Sequence, residues 1–191
     1  MRLHQHVHGG NDGFAGRRSR FYDLLATRFF RRAYRRLARD LAPLAPEGAA
    51  VLDVGTGPGV LLVELARLRP DLRITGVDLS PDMVAAAQRK LADWGGRVEA
   101  VTGDVAALPF PDGSFDLIVS SLSLHHWPRP AEARPELARV LRPGGRICVY
   151  DVPAAPFDEL TAGGEVLQRS RIRSGIPFLP ALTRMVFTPA R

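Results

Sequence analysis

Two carboxylates, three glycines and a pair of histidines are the residues whose types and spacing could do chemistry in this chain. Asp53, Gly55, Gly57 and Gly59 fall in the run Val51-Leu52-Asp53-Val54-Gly55-Thr56-Gly57-Pro58-Gly59, which leads directly into Val60-Leu61-Leu62-Val63-Glu64-Leu65-Ala66. An apolar run of strand formers that stops at a glycine loop and opens into a helix offers unpaired N–H groups and the positive end of a dipole. Gly55 and Gly57 allow a sharp turn and a close ligand, and Gly59 allows helix and strand to pack closely. Asp53, near the end of its strand, would repel a pyrophosphate and attract an ammonium or a sulfonium. The loop also lacks the Gly-x-Gly-x-x-Gly spacing of dinucleotide sites. Asp78 ends a second strand-like segment, Ile74-Thr75-Gly76-Val77-Asp78, where a carboxylate can grip both hydroxyls of a ribose. His125 and His126 follow the apolar run 115–120, and an imidazole is suited to removing a proton near neutral pH. A histidine there could equally bond a turn or pack beside Trp127, and the sequence does not choose between the pair.

The elements that must position these residues alternate along the chain. Strands are expected at 50–54, 73–77, 97–101, 115–120 and 145–151, and helices at 60–69, 81–93 and within 130–141. Such alternation describes an α/β protein: a Rossmann-like, doubly wound, mostly parallel sheet with helices on both faces. Ser80-Pro81-Asp82 is a helix start, with an N-cap, a proline at the first helical position and an acid in the first turn. Pro135 predicts a kink or a helix restart. Upstream, apolar residues from Phe21 to Leu41 recur at helical spacing and give an amphipathic helix with an arginine-rich outer face, expected to lie across the cleft as a lid. The domain reading is a tail over 1–16, a lid helix over 17–42, a binding core over 48–152 and a shortened region over 153–191. In the last of these, 157–172 reads as one helix and 176–187 as an edge strand or short hairpin limited by Pro177 and Pro180.

Asp53, the three glycines and Asp78 together resemble the class I S-adenosylmethionine-dependent methyltransferases. Leu108-Pro109-Phe110-Pro111-Asp112-Gly113-Ser114-Phe115-Asp116 and Arg139-Val140-Leu141-Arg142-Pro143-Gly144-Gly145 are similar to their ubiquinone- and menaquinone-biosynthesis-like branch, so that the likeness covers about residues 20–152. The resemblance implies S-adenosyl-L-methionine as cofactor and methyl transfer to a small-molecule O, N or C nucleophile. It implies that Asp104, after Gly103, meets the adenine amino group, that Leu79 and Val105 sandwich the ring, and that Tyr22 lies near the methionine end. Thr56, Ser120 and Ser121 join the cofactor set, and His125 or His126 is the candidate base. The Asn/Asp-Pro-Pro-aromatic motif of relatives that methylate nucleobase or amide nitrogens, and the clustered acids of those that use magnesium, are absent after the fourth strand, so no metal is expected.

Composition bounds the remaining classes. The 191 residues suffice for one domain, and 46% hydrophobic with 24% charged content is ordinary for a globular chain. Cys148 is alone and cannot form an internal disulfide. No apolar stretch reaches the ~18 residues of a membrane span, and a cytoplasmic location is the expectation. Residues 17–40 hold nine arginines against two aspartates, a local charge of +7, yet Lys90 is the only lysine, a bias that looks genomic rather than selected for phosphate contact. No nucleic-acid partner is expected, and a homodimer is left open. His4, His6 and His8 alternate in the tail, where an unstructured reading outweighs a metal site. Two competing functions remain: a nicotinamide-dependent oxidoreductase, disfavoured by the glycine spacing, and a cofactor-binding regulatory or partner module without turnover.

Overall fold

The computed structural model describes residues 31–176 and 179–190. Its strands are β1 Ala50–Val54, β2 Arg73–Asp78, β3 Val98–Thr102, β4 Phe115–Ser121, β5 Leu141–Asp151, β6 Glu165–Ile176 and β7 Leu179–Thr188. They form one sheet in the order β3-β2-β1-β4-β5-β7-β6. The first five pair in parallel, and β7 runs antiparallel between β5 and β6. The α-helices among the described residues are α1 Arg31–Leu41, α2 Val60–Leu68, α3 Pro81–Leu91, α4 Pro130–Val140 and α5 Phe157–Thr161, with three short 3₁₀ turns between elements. None of these helices is long and apolar enough to cross a membrane.

Every residue of β1 is buried, as a central parallel strand covered on both faces requires. Its side chains alternate between two cores. Val51 packs with Leu37 and Leu41 of α1, Leu62 and Leu65 of α2 and Ala87 of α3. Leu52 and Val54 pack on the other side with Leu137 of α4 and Phe157 and Leu160 of α5. The Ser80 hydroxyl caps α3 by accepting from the Met83 N–H at 3.4 Å. Strand order reverses between β1 and β4, which opens a crevice beyond their carboxyl ends, the usual place for a ligand in such sheets.

Three expectations need correction. The C-terminal strands are not shortened: β6 has twelve residues, β7 has ten, and the sheet is complete at seven strands. The helix expected over 157–172 ends at Thr161, because Gly163 takes φ 79° and a Cβ on Gly164 would run into the Thr188 carbonyl. Downstream, pairing from Glu165↔Thr188 to Ile176↔Leu179 supplies the ladder that a helix would have forgone, and β7 is interior rather than an edge. Finally, the helix does not restart at Pro135: α4 runs unbroken from Pro130 to Val140, and the Ala131 carbonyl accepts from Arg134 Nε at 3.3 Å.

Of the N-terminal helix, residues 31–41 are described. They pack on α2 and β6, with Arg31 and Arg35 turned onto Glu64 at 2.8 and 3.1 Å. Burial alone would raise the Glu64 carboxyl, but the hydrogen bonds and charges of these two arginines prevail and hold it below its usual range. Tyr22, the three tail histidines and the rest of the expected lid lie outside the described residues.

Candidate active site

The β1–α2 loop is tied to β2 by Gly55 N–H and Thr56 N–H, which both donate to the Val77 carbonyl at 2.9 and 3.1 Å. Gly55, Gly57 and Gly59 all take positive φ, near 71°, 53° and 73°, where a side chain would be strained. A Cβ on Gly55 would overlap the Ser123 hydroxyl and stand 2.5 Å from Ser123 Cβ, so the loop touches the segment that follows β4. A Cβ on Gly59 would come within 2.9 Å of Ala87 Cβ, so the close packing this glycine permits is against α3, not against a strand.

Asp78 links two backbone turns: its Oδ2 accepts from Gly57 N–H at 2.7 Å and its Oδ1 from Ser80 N–H at 2.9 Å. An ionised carboxylate has about four lone-pair sites, so two remain for other donors. Beside it opens a cavity of about 390 Å³, within the ~300–1,000 Å³ range of small-molecule sites. Gly55, Gly57, Asp78, Leu79, Gly103, Asp104 and Val105 line one part of it, and Leu122, His126 and Trp127 line another. Leu79 is 70% exposed here, an apolar side chain at a cavity wall that a flat apolar group would cover.

Asp53, Thr56, Ser120 and Ser121 are not among the lining residues. Asp53 is 1% exposed beneath the loop, where its Oδ2 accepts from the Thr56 hydroxyl at 2.7 Å. Its Oδ1 has no partner among the described residues. Burial pushes this carboxyl up to about 7, against the Thr56 hydrogen bond and with the Asp78 charge adding to the rise. A buried acid with one orphaned oxygen, directly under a glycine cradle, fits a cationic ligand. Ser120 and Ser121 are buried in β4, and the Ser120 hydroxyl also lacks a partner among the described residues.

The two histidines divide their surroundings. Leu122, at φ 54°, is the one non-glycine residue with positive φ among those described, and it turns the chain out of β4 into the cavity wall. Trp127 Nε1 donates to the Ser123 hydroxyl at 3.0 Å and fixes the following 3₁₀ turn, Leu124–His126. His126 then lines the cavity. His125 stands with its Nδ1 2.6 Å from Asp151 Oδ1, and their carboxylate is wholly buried at the end of β5. That contact orients the His125 ring and leaves Nε2 as the nitrogen that Asp151 does not engage. The two imidazole rings are 3.9 Å apart, centroid to centroid. Burial, then the neighbouring His125 charge, lowers the His126 pKa against the opposing pull of Asp151, which favours the uncharged imidazole. The sequence reading missed Asp151. Its signal was there to find: like Asp53 and Asp78, it is an acid at the carboxyl end of a strand.

A crevice at the switch point, a glycine cradle after the first strand and an acid ending the second define a Rossmann-like fold of the methyltransferase type. Residues 51–145 match the family described as a methyltransferase domain, and over this core the chain belongs to that family. It is 39% identical over 123 residues to the demethylmenaquinone methyltransferase of Thermus thermophilus, covering 64% of this chain and 56% of that protein. It is 37% identical over 158 residues to the malonyl-[acyl-carrier protein] O-methyltransferase of Herminiimonas arsenicoxydans, covering 82% and 56%. The chain thus spans about half the length of the curated relatives it matches. A SAM-dependent methyltransferase from Aquifex aeolicus superposes with a TM-score of 0.72 at 21% identity, over 90% of this chain and 97% of that one, a likeness of fold. The family and fold imply S-adenosylmethionine as the cofactor, and the cradle, the orphaned Asp53 oxygen and the exposed Leu79 fit it.

Proposed function

We propose that the protein transfers a methyl group from S-adenosyl-L-methionine to a small-molecule O, N or C nucleophile. The observation that carries this reading is the single cavity wall shared by the glycine cradle, Asp78 and Asp104 on one side and His126 on the other. Asp78 would hold the ribose hydroxyls with its remaining lone pairs, Leu79 and Val105 would flank the adenine, and Asp104 would accept from its amino group. Gly55, Thr56, Gly57 and Gly59 would border the amino-acid portion, with Asp53 supplying negative charge from beneath and Ser120 and Ser121 backing the wall. Tyr22 keeps its proposed place at the methionine end.

The cofactor, when bound, supplies an electrophilic methyl group on a sulfonium. The chain's own part is alignment, exclusion of water and proton removal. His126 lines the cavity and, with its uncharged form favoured, would accept a proton from the acceptor. His125, oriented by Asp151, presents Nε2 for the same task or steadies the imidazolium beside it. A small-molecule acceptor accords with the commitment of Arg31 and Arg35 to Glu64 rather than to an outside polyanion. The cytoplasm, where this cofactor is a metabolite, is the proposed location.

Calorimetry with S-adenosylhomocysteine and with NAD, followed by a labelled-methyl screen over a metabolite library, tests the reading. Binding of the first ligand and label transfer to a metabolite are expected. NAD binding without S-adenosylhomocysteine binding would overturn it, and tight S-adenosylhomocysteine binding with no acceptor in the library would favour a regulatory module.

A further inference from the structure

The sheet carries a basic row that ends at the Asp151–His125 pair. In an antiparallel ladder, directly opposed residues project from the same face. Asp151 of β5 opposes Thr183 of β7, and Thr183 opposes Arg171 of β6. The three side chains therefore stand in one line across the sheet, and His125 extends it at the inner end through its 2.6 Å contact. With strands ~4.8 Å apart, Arg171 and Asp151 are about 10 Å from each other, backbone to backbone. Arg169 projects from the same face, with its guanidinium 5.9 Å from the centre of the Phe157 ring and 3.5 Å from Asp158, an acid whose side chain is 91% exposed. Such an exposed pair is weak. Arg171 has no ion pair at all among the described residues.

A cavity of about 350 Å³ opens over this row, lined by Pro153, Arg169, Ser170, Arg171 and Thr183. Its lining residues include two arginines, two hydroxyl residues and no acid. Thr183 is 5% exposed and is one of the residues that line this cavity. Guanidinium forks of this kind match the two oxygens of a carboxylate or phosphate. The acid nearest along the row, Asp151, is engaged by His125 and by the backbone N–H of Val152 at 2.6 Å, and among the described residues no ion pair joins it to either arginine.

We infer that the methyl acceptor is an acid, anchored through a carboxylate or phosphate by Arg171 with Arg169 and Thr183, its nucleophilic atom lying toward the histidine end of the row. The inference rests on the methyl-transfer reading above and adds the class of substrate. An arginine can also serve an edge strand merely by discouraging edge-to-edge pairing. That role asks for no selectivity between an acid and its neutral isostere, and the two are thereby separable.

The test is an NMR titration of the full chain, with and without S-adenosylhomocysteine, using benzoate, benzamide and inorganic phosphate as probes. Benzoate or phosphate should bind at least about tenfold more tightly than benzamide, the worth of a charge-assisted hydrogen bond, with shifts centred on Arg171 and Thr183. Arg171→Gln should erase that preference and Arg171→Lys should keep part of it. Stronger binding of benzoate assigns a carboxylic acceptor, and stronger binding of phosphate a phosphorylated one. Equal affinities for benzoate and benzamide together with no phosphate binding would overturn the inference. So would a preference that survives Arg171→Gln. Failure of S-adenosylhomocysteine to bind in the same samples would strike the methyl-transfer reading and leave the anion result to stand by itself.

Discussion

Replacing Gly55 by alanine probes the joint between the cofactor loop and the histidine segment. At φ 71° a side chain costs about 1–2 kcal/mol. The new Cβ would also overlap the Ser123 hydroxyl and approach Ser123 Cβ to 2.5 Å, an overpacking worth about 1–3 kcal/mol. Together the change should destabilise by about 2–5 kcal/mol, which at roughly 2–4 °C per kcal/mol for a chain of this size lowers Tm by about 4–20 °C. Ser123 cannot move freely, because its hydroxyl accepts the Trp127 indole N–H at 3.0 Å. Removing the obstacle with Ser123→Gly should recover the overpacking part and leave the φ penalty, so the double variant should lie about 1–3 kcal/mol above Gly55→Ala. Denaturant melts of the four proteins in the cycle measure this. If Gly55→Ala melts within a degree of wild type, or if Ser123→Gly restores nothing, the claimed contact between loop and segment is wrong.

Three further outcomes are expected. Asp78→Ala should weaken S-adenosylhomocysteine binding by roughly ten- to a hundredfold by calorimetry, and unchanged affinity in a folded protein would remove Asp78 from the site. Asp53 has a folded pKa of about 7 against 3.8 unfolded, so between these values the native state binds more protons than the unfolded state. Its favourable contribution is therefore full below about pH 4 and lost as pH rises through 7. Ligand-free Asp53→Asn should escape this loss, gaining on wild type in urea melts at pH 8 relative to pH 5. Equal pH dependence in the two proteins would refute the raised pKa. Asp151→Asn should lower turnover of an accepted substrate by about a hundredfold or more with cofactor affinity held, and it should disturb the His125 tautomer in ¹⁵N spectra; an unchanged tautomer would refute the pairing.

What could be read in advance was what short-range chemistry decides. The strand–glycine–helix unit at Val51–Ala66, the Ser80 cap and the alternation of elements to Asp151 all follow from neighbours in sequence. The C-terminal third depended on partners far along the chain. Phe157 to Ile172 has enough apolar residues at helical spacing to suggest one helix, yet Gly163-Gly164 is a stop, and Arg169-Ser170-Arg171-Ile172-Arg173-Ser174 alternates as a strand should. The role of Arg31 and Arg35 was illegible for the same reason. Their acid, Glu64, sits on another helix, inside what reads as an apolar stripe.

The antiparallel insertion of β7 between β5 and β6 sets an order of events for a chain made from its amino end. β6 is synthesised before β7, yet among the described residues its only partner in the sheet is β7. Until Leu179–Thr188 arrives, β5 and the twelve residues of β6 present two open edges of backbone at once. Unpaired edges in a nascent chain are where intermolecular pairing begins. Three alternating arginines on the waiting strand give neighbouring copies a reason to repel each other during that interval, so the two of them offered to an acceptor in the finished protein would already be guarding its assembly.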